Sequence, residues 1–186
     1  MVSTPPLRRS SGERMSDPHR DSLSIAVVAR NVFGLPTPHD YTQQLLEGSD
    51  CRFALDIGCG SSSYLSAFRP RLETVGIDAF PEAIEASRRN HVHDHYILAD
   101  VGGVDFAEIL APFGGRKFDM VTMFDVIEHL PKRQGFELLE RCEALSNKFV
   151  VVLTPNGFLA QGPEFSNPYQ RHLSGWFPTD FEGLGY

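Results

Sequence analysis

Cysteine is scarce in this chain: three residues in 186, at positions 51, 59 and 142, with no C-x-x-C spacing among them. Three cannot all pair, Cys59 falls inside a glycine turn and Cys142 within a predicted helix. A disulfide-stapled scaffold is therefore excluded, and reduced thiols in a cytoplasmic setting are expected. Basic charge is also short. Seventeen Lys and Arg stand against 24 Asp and Glu, for a net charge of −7, and no basic run exceeds two residues. Such a chain is a poor candidate for holding nucleic-acid phosphate through its general field. No apolar run approaches the roughly 18 residues that a membrane-crossing helix needs. The first residues carry arginines but no hydrophobic stretch before a cleavage site, so no signal peptide is read there. Neither a nucleic acid nor a membrane is expected as a partner.

What the chain does have is a series of short apolar runs, each cut off by glycine or an acid. Phe53–Ile57 is interrupted only by Asp56 and stops at Gly58, which fits a buried parallel strand better than a helix. Gly58 and Gly60 provide a turn where backbone approaches a ligand with no Cβ in the way. Ser61, Ser62 and Ser63 then predict the opening of a helix running to about Arg69. Strand, glycine turn and helix together bring free N–H groups and a helix dipole to a bound ligand. Glu73–Asp78, Tyr96–Asp100 and Phe118–Asp125 repeat the pattern, each closing on a carboxylate, and Phe149–Leu153 is a fifth strand. Asp78 lies 22 residues after Asp56, at the end of the second strand, where an acid accepts hydrogen bonds from a ribose diol. Four acid-tipped strands would line one rim of a parallel sheet, the rim where open α/β sheets bind ligands.

Helices fill the gaps. Thr37-Pro38 reads as an N-cap followed by proline at the first helical position, with Leu45 and Leu46 inward. Pro81 to about Asn90, Val104–Leu110 and Lys132–Leu145 follow the second, third and fourth strands. In the last of these, Phe136, Leu139, Cys142 and Leu145 form a core-facing stripe. Thr179 reads as an N-cap for a short helix beginning at Asp180. Residues 1–20 are rich in Ser, Pro and Arg and are expected to stay disordered, because they bury too little to offset ordering entropy. Residues 21–186 then form one domain, and within it the apolar run Ser24–Val32 is read as a helix or strand lying on the fold.

The ordered series Leu55-Asp-Ile-Gly-Cys-Gly60, Gly76-Ile-Asp78, Ala99-Asp100, Phe118-Asp-Met-Val121 and Asp125-Val-Ile-Glu-His-Leu130 resembles the class I S-adenosylmethionine-dependent methyltransferases. More narrowly, it is similar to the small-molecule type with a Glu-His-Leu segment after the fourth strand. The resemblance covers roughly residues 37–186. It implies a Rossmann-like, doubly wound, mostly parallel sheet with helices on both faces, and S-adenosylmethionine as cofactor. It places Asp56, Gly58, Cys59 and Gly60 by the methionine and ribose portions, Asp78 on the ribose hydroxyls, and Ala79 and Phe80 beside the adenine. Asp100 and Val101 would meet the adenine edge, and Asp125 the methionine end or the acceptor. A third glycine, frequent in the family, is replaced here by Ser62.

Methyl transfer from a sulfonium asks little of a protein beyond alignment, and a base only when the acceptor is a poor nucleophile. His129 and His172 are the catalytic candidates, with Tyr169, Arg171 and Trp176 on the substrate side and a small molecule as the acceptor. His91, His93 and His95, with Asp94, read as a solvated loop rather than a metal site, since alternation sends only every second side chain to one face. The resemblance also leads one to expect two more strands after the fifth, and the sequence supplies none. The fifth strand is then expected to be an exposed edge available for self-association, the chain being a truncated fragment or covered by a partner. Two other readings compete. One is a nicotinamide-dependent oxidoreductase, disfavoured because Ser63 stands where G-x-G-x-x-G wants its third glycine. The other is a binding or regulatory protein that keeps the cofactor pocket without catalysis.

Overall fold

The computed structural model describes residues 24–30, 37–163, 166–182 and 184. The expected disordered tail, residues 1–20, lies outside them. Among the described residues six strands form one sheet: β1 (Ser24–Arg30), β2 (Phe53–Ile57), β3 (Glu73–Asp78), β4 (His95–Leu98), β5 (Phe118–Phe124) and β6 (Ser146–Pro155). Their order is β1-β6-β5-β2-β3-β4, and every pairing is parallel. Parallel neighbours need crossovers, and among the described residues five α-helices lie between or after the strands. They are α1 (Pro38–Glu47), α2 (Pro81–Arg89), α3 (Phe106–Leu110), α4 (Lys132–Leu145) and α5 (Pro178–Glu182). The doubly wound α/β architecture expected from the sequence is the one observed.

Both sheet faces are covered, which is why the central strands read as unbroken apolar runs. All five residues of β2 are buried. Phe53, Leu55 and Ile57 face one core with Val75, Ile77, Val121 and Met123, closed by α3, α4 and α5 through Ile109, Leu139 and Phe181. Ala54, Met120 and Val151 face the other, with Leu46 of α1 and with Leu65 and Leu72. Fully burying one such aliphatic side chain contributes roughly 1.5–3 kcal/mol. Helix α1 starts as anticipated: the Thr37 hydroxyl accepts from the Asp40 amide while the Asp40 carboxylate accepts from the Thr37 amide, a capping box.

Four expectations change. The helix after the glycine turn is a short 3-10 segment, Tyr64–Phe68, not an α-helix reaching Arg69; Arg69 keeps helical backbone, but Pro70 has no N–H to donate and ends the hydrogen-bonded run. Helix α5 begins at Pro178, one residue ahead of the anticipated cap Thr179, because the Asp180 carboxylate caps the Phe177 amide. In α4 the inward stripe is Leu138, Leu139, Cys142 and Leu145, with Gly135 beneath Trp176, and Phe136 is only half-buried.

The fourth correction concerns the edge. The expected fifth strand, β6, is not exposed: β1 pairs with it along its length, from Ser24 beside Phe149 to Arg30 beside Pro155. A strand from earlier in the chain thus occupies the place where two later strands were anticipated, and the basis for self-association through that edge disappears. Among the described residues no helix is long and apolar enough to cross a membrane. A variant lacking residues 1–30 should expose the β6 ladder, lower the melting temperature and associate in a concentration-dependent way. Sedimentation and thermal melts decide it, and an equally stable monomer would contradict the covering role of β1.

Candidate functional site

The C-terminal ends of β2, β3, β4 and β5 open onto a single cleft. It is walled by Gly58, Asp78, Ala79, Ala99, Asp100, Val101, Asp125, Val126, His129, Leu130, Asn167, Tyr169 and Gln170 and holds about 570 Å³, partly open to solvent. Six of the expected cofactor residues therefore share one wall: Gly58, Asp78, Ala79, Asp100, Val101 and Asp125. Asp56, Cys59, Gly60 and Phe80 do not line it.

Local backbone explains the arrangement. Gly58 sits at φ +64°, and a Cβ there would stand 2.4 Å from Val126 Cγ2, so both conformation and space demand glycine. Gly60 is also left-handed, at φ +57°. The amide of Gly60 donates to Asp78 Oδ2 at 2.9 Å and that of Phe80 to Oδ1 at 2.8 Å, which fixes the carboxylate at the tip of β3. Asp100 is held likewise by the Gly102 amide, 2.9 Å from its Oδ1. Asp125 has φ +54°, uncommon outside glycine and of order 1–3 kcal/mol unfavourable. Its own amide donates to the Leu153 carbonyl at 2.8 Å. A strained residue held at the mouth of a cleft marks a place where position matters more than local stability.

Asp56 is elsewhere. It lies on the sheet face with Ala54, not at the strand tip, and is 3% exposed. Ser63 Oγ donates to its Oδ2 at 2.5 Å and Thr122 Oγ1 to its Oδ1 at 2.6 Å. The carboxylate therefore ties the segment after the glycine turn to β5, beneath the cleft. Cys59 is buried beside it; burial, reinforced by the charges of Asp56 and Asp78, pushes its thiol pKa well up and leaves it unreactive.

His129, at the end of a short 3-10 turn Ile127–His129, is half-buried in the cleft wall. Its Nδ1 lies 3.1 Å from the Arg171 carbonyl. Burial lowers its pKa, helped by His172; the Arg171 carbonyl and Asp125 oppose the shift without reversing it. The ring is therefore neutral at neutral pH, the form that accepts a proton. His172 does not reach the cleft wall. It is buried, its Nδ1 faces the Leu159 carbonyl at 2.6 Å, and its ring meets His129 edge-on with centroids 4.8 Å apart. Glu128 is buried next to them, its Oε2 accepting from Thr154 and its carbonyl from the amides of Leu173 and Ser174. One ligand-type atom from each of Glu128, His129 and His172 lies within 4.8 Å of the others.

Of the expected substrate-side residues, Tyr169 lines the cleft and Arg171 contributes its carbonyl to His129. Trp176 does neither. It is 1% exposed, its Nε1 donates to the Ile127 carbonyl and to Ser174 Oγ, and the Lys132 ammonium lies 3.9 Å from the ring centre. It anchors the loop from below. The histidine run does not converge on one point: His95 pairs with Glu73 at 3.0 Å, Asp94 with Arg69 at 2.9 Å, and His93 turns inward. The expected solvated loop is thus corrected at His93, whose side chain is fully buried. Asn167 and Gln170 were not anticipated in the wall. Asn167-Pro168 is a cap signal, and the Asn167 side chain does accept from the Tyr169 amide, but nothing local says which cleft it faces.

A family model described as a methyltransferase domain matches residues 55–159. The chain belongs to that methyltransferase-domain family. This methyltransferase-domain chain is 30% identical over 128 residues to the ubiquinone biosynthesis O-methyltransferase of Actinobacillus pleuropneumoniae serotype 5b (strain L20), covering 67% of the present chain and 50% of that protein. To the chloroplastic tocopherol O-methyltransferase of Arabidopsis thaliana it is 30% identical over 124 residues, covering 64% and 35%. The chain thus spans half or less of these relatives' lengths. Its fold superposes on a SAM dependent methyltransferase from Archaeoglobus fulgidus with a TM-score of 0.56 at 22% identity, over 78% of this chain and 64% of that one.

The loop over the methyltransferase-domain cleft depends on the Trp176 slot. A Cβ at Gly135 would stand 2.3 Å from Trp176 Cζ2. Alanine normally stabilises a helix interior over glycine by about 1 kcal/mol, but overpacking costs about 1–3 kcal/mol. Gly135→Ala should therefore come out destabilising in chemical denaturation, and a gain in stability would show that the slot yields freely.

Proposed function

We propose that this chain binds S-adenosylmethionine in the cleft and transfers its methyl group to an oxygen of a small-molecule acceptor. The observation that carries the reading is the shared wall: Gly58, Asp78, Asp100, Asp125 and His129, from four different segments, meet around one space. The donor set fits such a cofactor. Gly58 leaves a cradle that a Cβ would fill, Asp78 is aimed by two backbone amides at a position suited to a ribose diol, and Asp100 and Val101 offer an acceptor and an amide for an adenine edge. When bound, S-adenosylmethionine supplies an already activated methyl on a sulfonium. The three carboxylates of the wall favour a cationic ligand.

The chain's part is then to align an acceptor and take its proton. His129, kept neutral by burial and with Nδ1 engaged by the Arg171 carbonyl, would accept the acceptor hydroxyl's proton at Nε2. Asp125 faces the same space, and Tyr169, Asn167 and Gln170 form the acceptor side. An oxygen acceptor is supported by the names of two relatives, both O-methyltransferases. Cytoplasmic residence is supported by three free, buried cysteines.

Calorimetric titration with S-adenosylhomocysteine, with NADH as control, tests the cofactor: micromolar binding of the first alone is expected. Binding of neither to a folded sample would reject the reading. Asp78→Ala should abolish that binding, and unchanged affinity would remove Asp78 from the ribose. For His129, burial sets the sign of the pH dependence. The base-competent form is lost as pH falls through a pKa below the usual 6.5, so kcat/KM should rise through a midpoint below 6.5 and stay flat above. His129→Ala should erase that limb, and its persistence would assign the base elsewhere.

A further inference from the structure

Below the cleft, the wedge between β2, β3, β4 and α2 holds a polar side chain that the proposed chemistry does not use. His93 has no exposed side-chain surface, and its Nε2 stands 3.4 Å from Asp56 Oδ2. That is close enough for an electrostatic pair but not aligned as a hydrogen bond, and both ring nitrogens lack a hydrogen-bond partner. A buried imidazole in that condition is costly, roughly 1–3 kcal/mol, and calls for a reason.

The surroundings are shaped around it. A Cβ at Gly76 of β3 would lie 2.5 Å from His93 Cδ2 and 2.9 Å from Cys59 Sγ, so Gly76 makes the slot for the ring. The His93 amide donates to the Tyr96 hydroxyl at 2.8 Å, and that hydroxyl donates to the Ser87 carbonyl of α2 at 3.0 Å, which pins the backbone from which the ring hangs. The ionisable groups facing the ring are Asp56 from β2, Cys59 from the glycine turn and Tyr96 from β4. The neighbouring Asp94 points away, to Thr74 and Arg69.

We propose that His93 is a positioning residue for the cofactor turn, acting through Asp56. The Asp56 carboxylate already collects Ser63, just beyond the turn, and Thr122, in the strand that leads to Asp125. His93 adds the third group and ties in the connection before β4. With all three, the carboxylate has one place to sit, and the Gly58–Gly60 backbone above it has one conformation. The inference rests on the reading of the cleft as a cofactor site only for its binding readout.

The test has two arms. In the first, S-adenosylhomocysteine affinity is measured by calorimetry for His93→Phe, His93→Gln, Asp56→Asn and the double variant His93→Phe/Asp56→Asn, each checked for folding by circular dichroism. His93→Phe should weaken binding by about tenfold, as expected of coupled neighbours. His93→Gln, whose amide can donate to Asp56, should restore most of it, and the double variant should bind no more weakly than Asp56→Asn alone. Wild-type affinity in His93→Phe, failure of glutamine to rescue, or additive losses would each overturn the proposal. In the second arm, the ring-nitrogen NMR shifts of His93 are compared between the wild-type chain and Asp56→Asn without ligand. A clear change is expected, and identical shifts would overturn the coupling even if His93→Phe failed to fold. A wild-type chain that does not bind S-adenosylhomocysteine would reject the cofactor reading instead, and the second arm alone then decides the His93–Asp56 pair.

Discussion

A left-handed step in the backbone at Gly58 constrains everything built around the cleft. It follows β2 directly and is locked by the side chain of Val126, which leaves no room for a Cβ. Once the chain turns there, the Gly60 amide meets the Asp78 carboxylate at the tip of the neighbouring strand. Two strand ends are thereby fixed relative to each other by backbone geometry and one charge-assisted hydrogen bond. Asp100 and Asp125 follow at the ends of the next segments because the register is parallel throughout, so all four tips face the same way.

Beneath that rim the molecule departs from the usual apolar filling. Asp56 is placed by the alternation of β2 on a covered sheet face, where an unpartnered carboxylate would cost several kcal/mol. Two hydroxyl donors offset that cost, one from Ser63 beyond the glycine turn and one from Thr122 of β5. The same alternation makes Gly76 of β3 the neighbour of Asp56 and opens the slot that His93 fills. Polar burial and glycine placement are thus one design, and both lie directly under the ligand surface.

Much of this was legible in the sequence. The boundaries of β2 and β3 could be read because apolar runs end abruptly at glycine or acid, and the 14-residue α4 because Leu139, Cys142 and Leu145 keep helical spacing. The carboxylates at the rim followed from strand ends alone. What stayed hidden depends on contacts between distant segments. Ser24–Arg30 is apolar with no period that separates helix from strand, and only the open side of β6 decides it. His93 looked solvated because its neighbours His91 and His95 are exposed; its burial depends on a glycine 17 positions earlier. Trp176 looked like a substrate contact because it is aromatic and in a loop, whereas Gly135 had already made a place for it underneath. His172 lies behind His129 for a similar reason: the carbonyl it meets belongs to the far side of its own loop.

The position of β1 has a consequence for how the chain is made. Its partner β6 is the last of the described strands in chain order, although β1 is the first of the described elements to appear. During synthesis the β1 segment has no native partner until the rest of the sheet exists, and long-range parallel pairing is slow to form. An apolar strand waiting in that state is a natural target for chaperones, and for pairing with another nascent chain on the same message. Docking of β1 then covers the outer side of β6, and the sheet ends on β1 at one side and on β4 at the other.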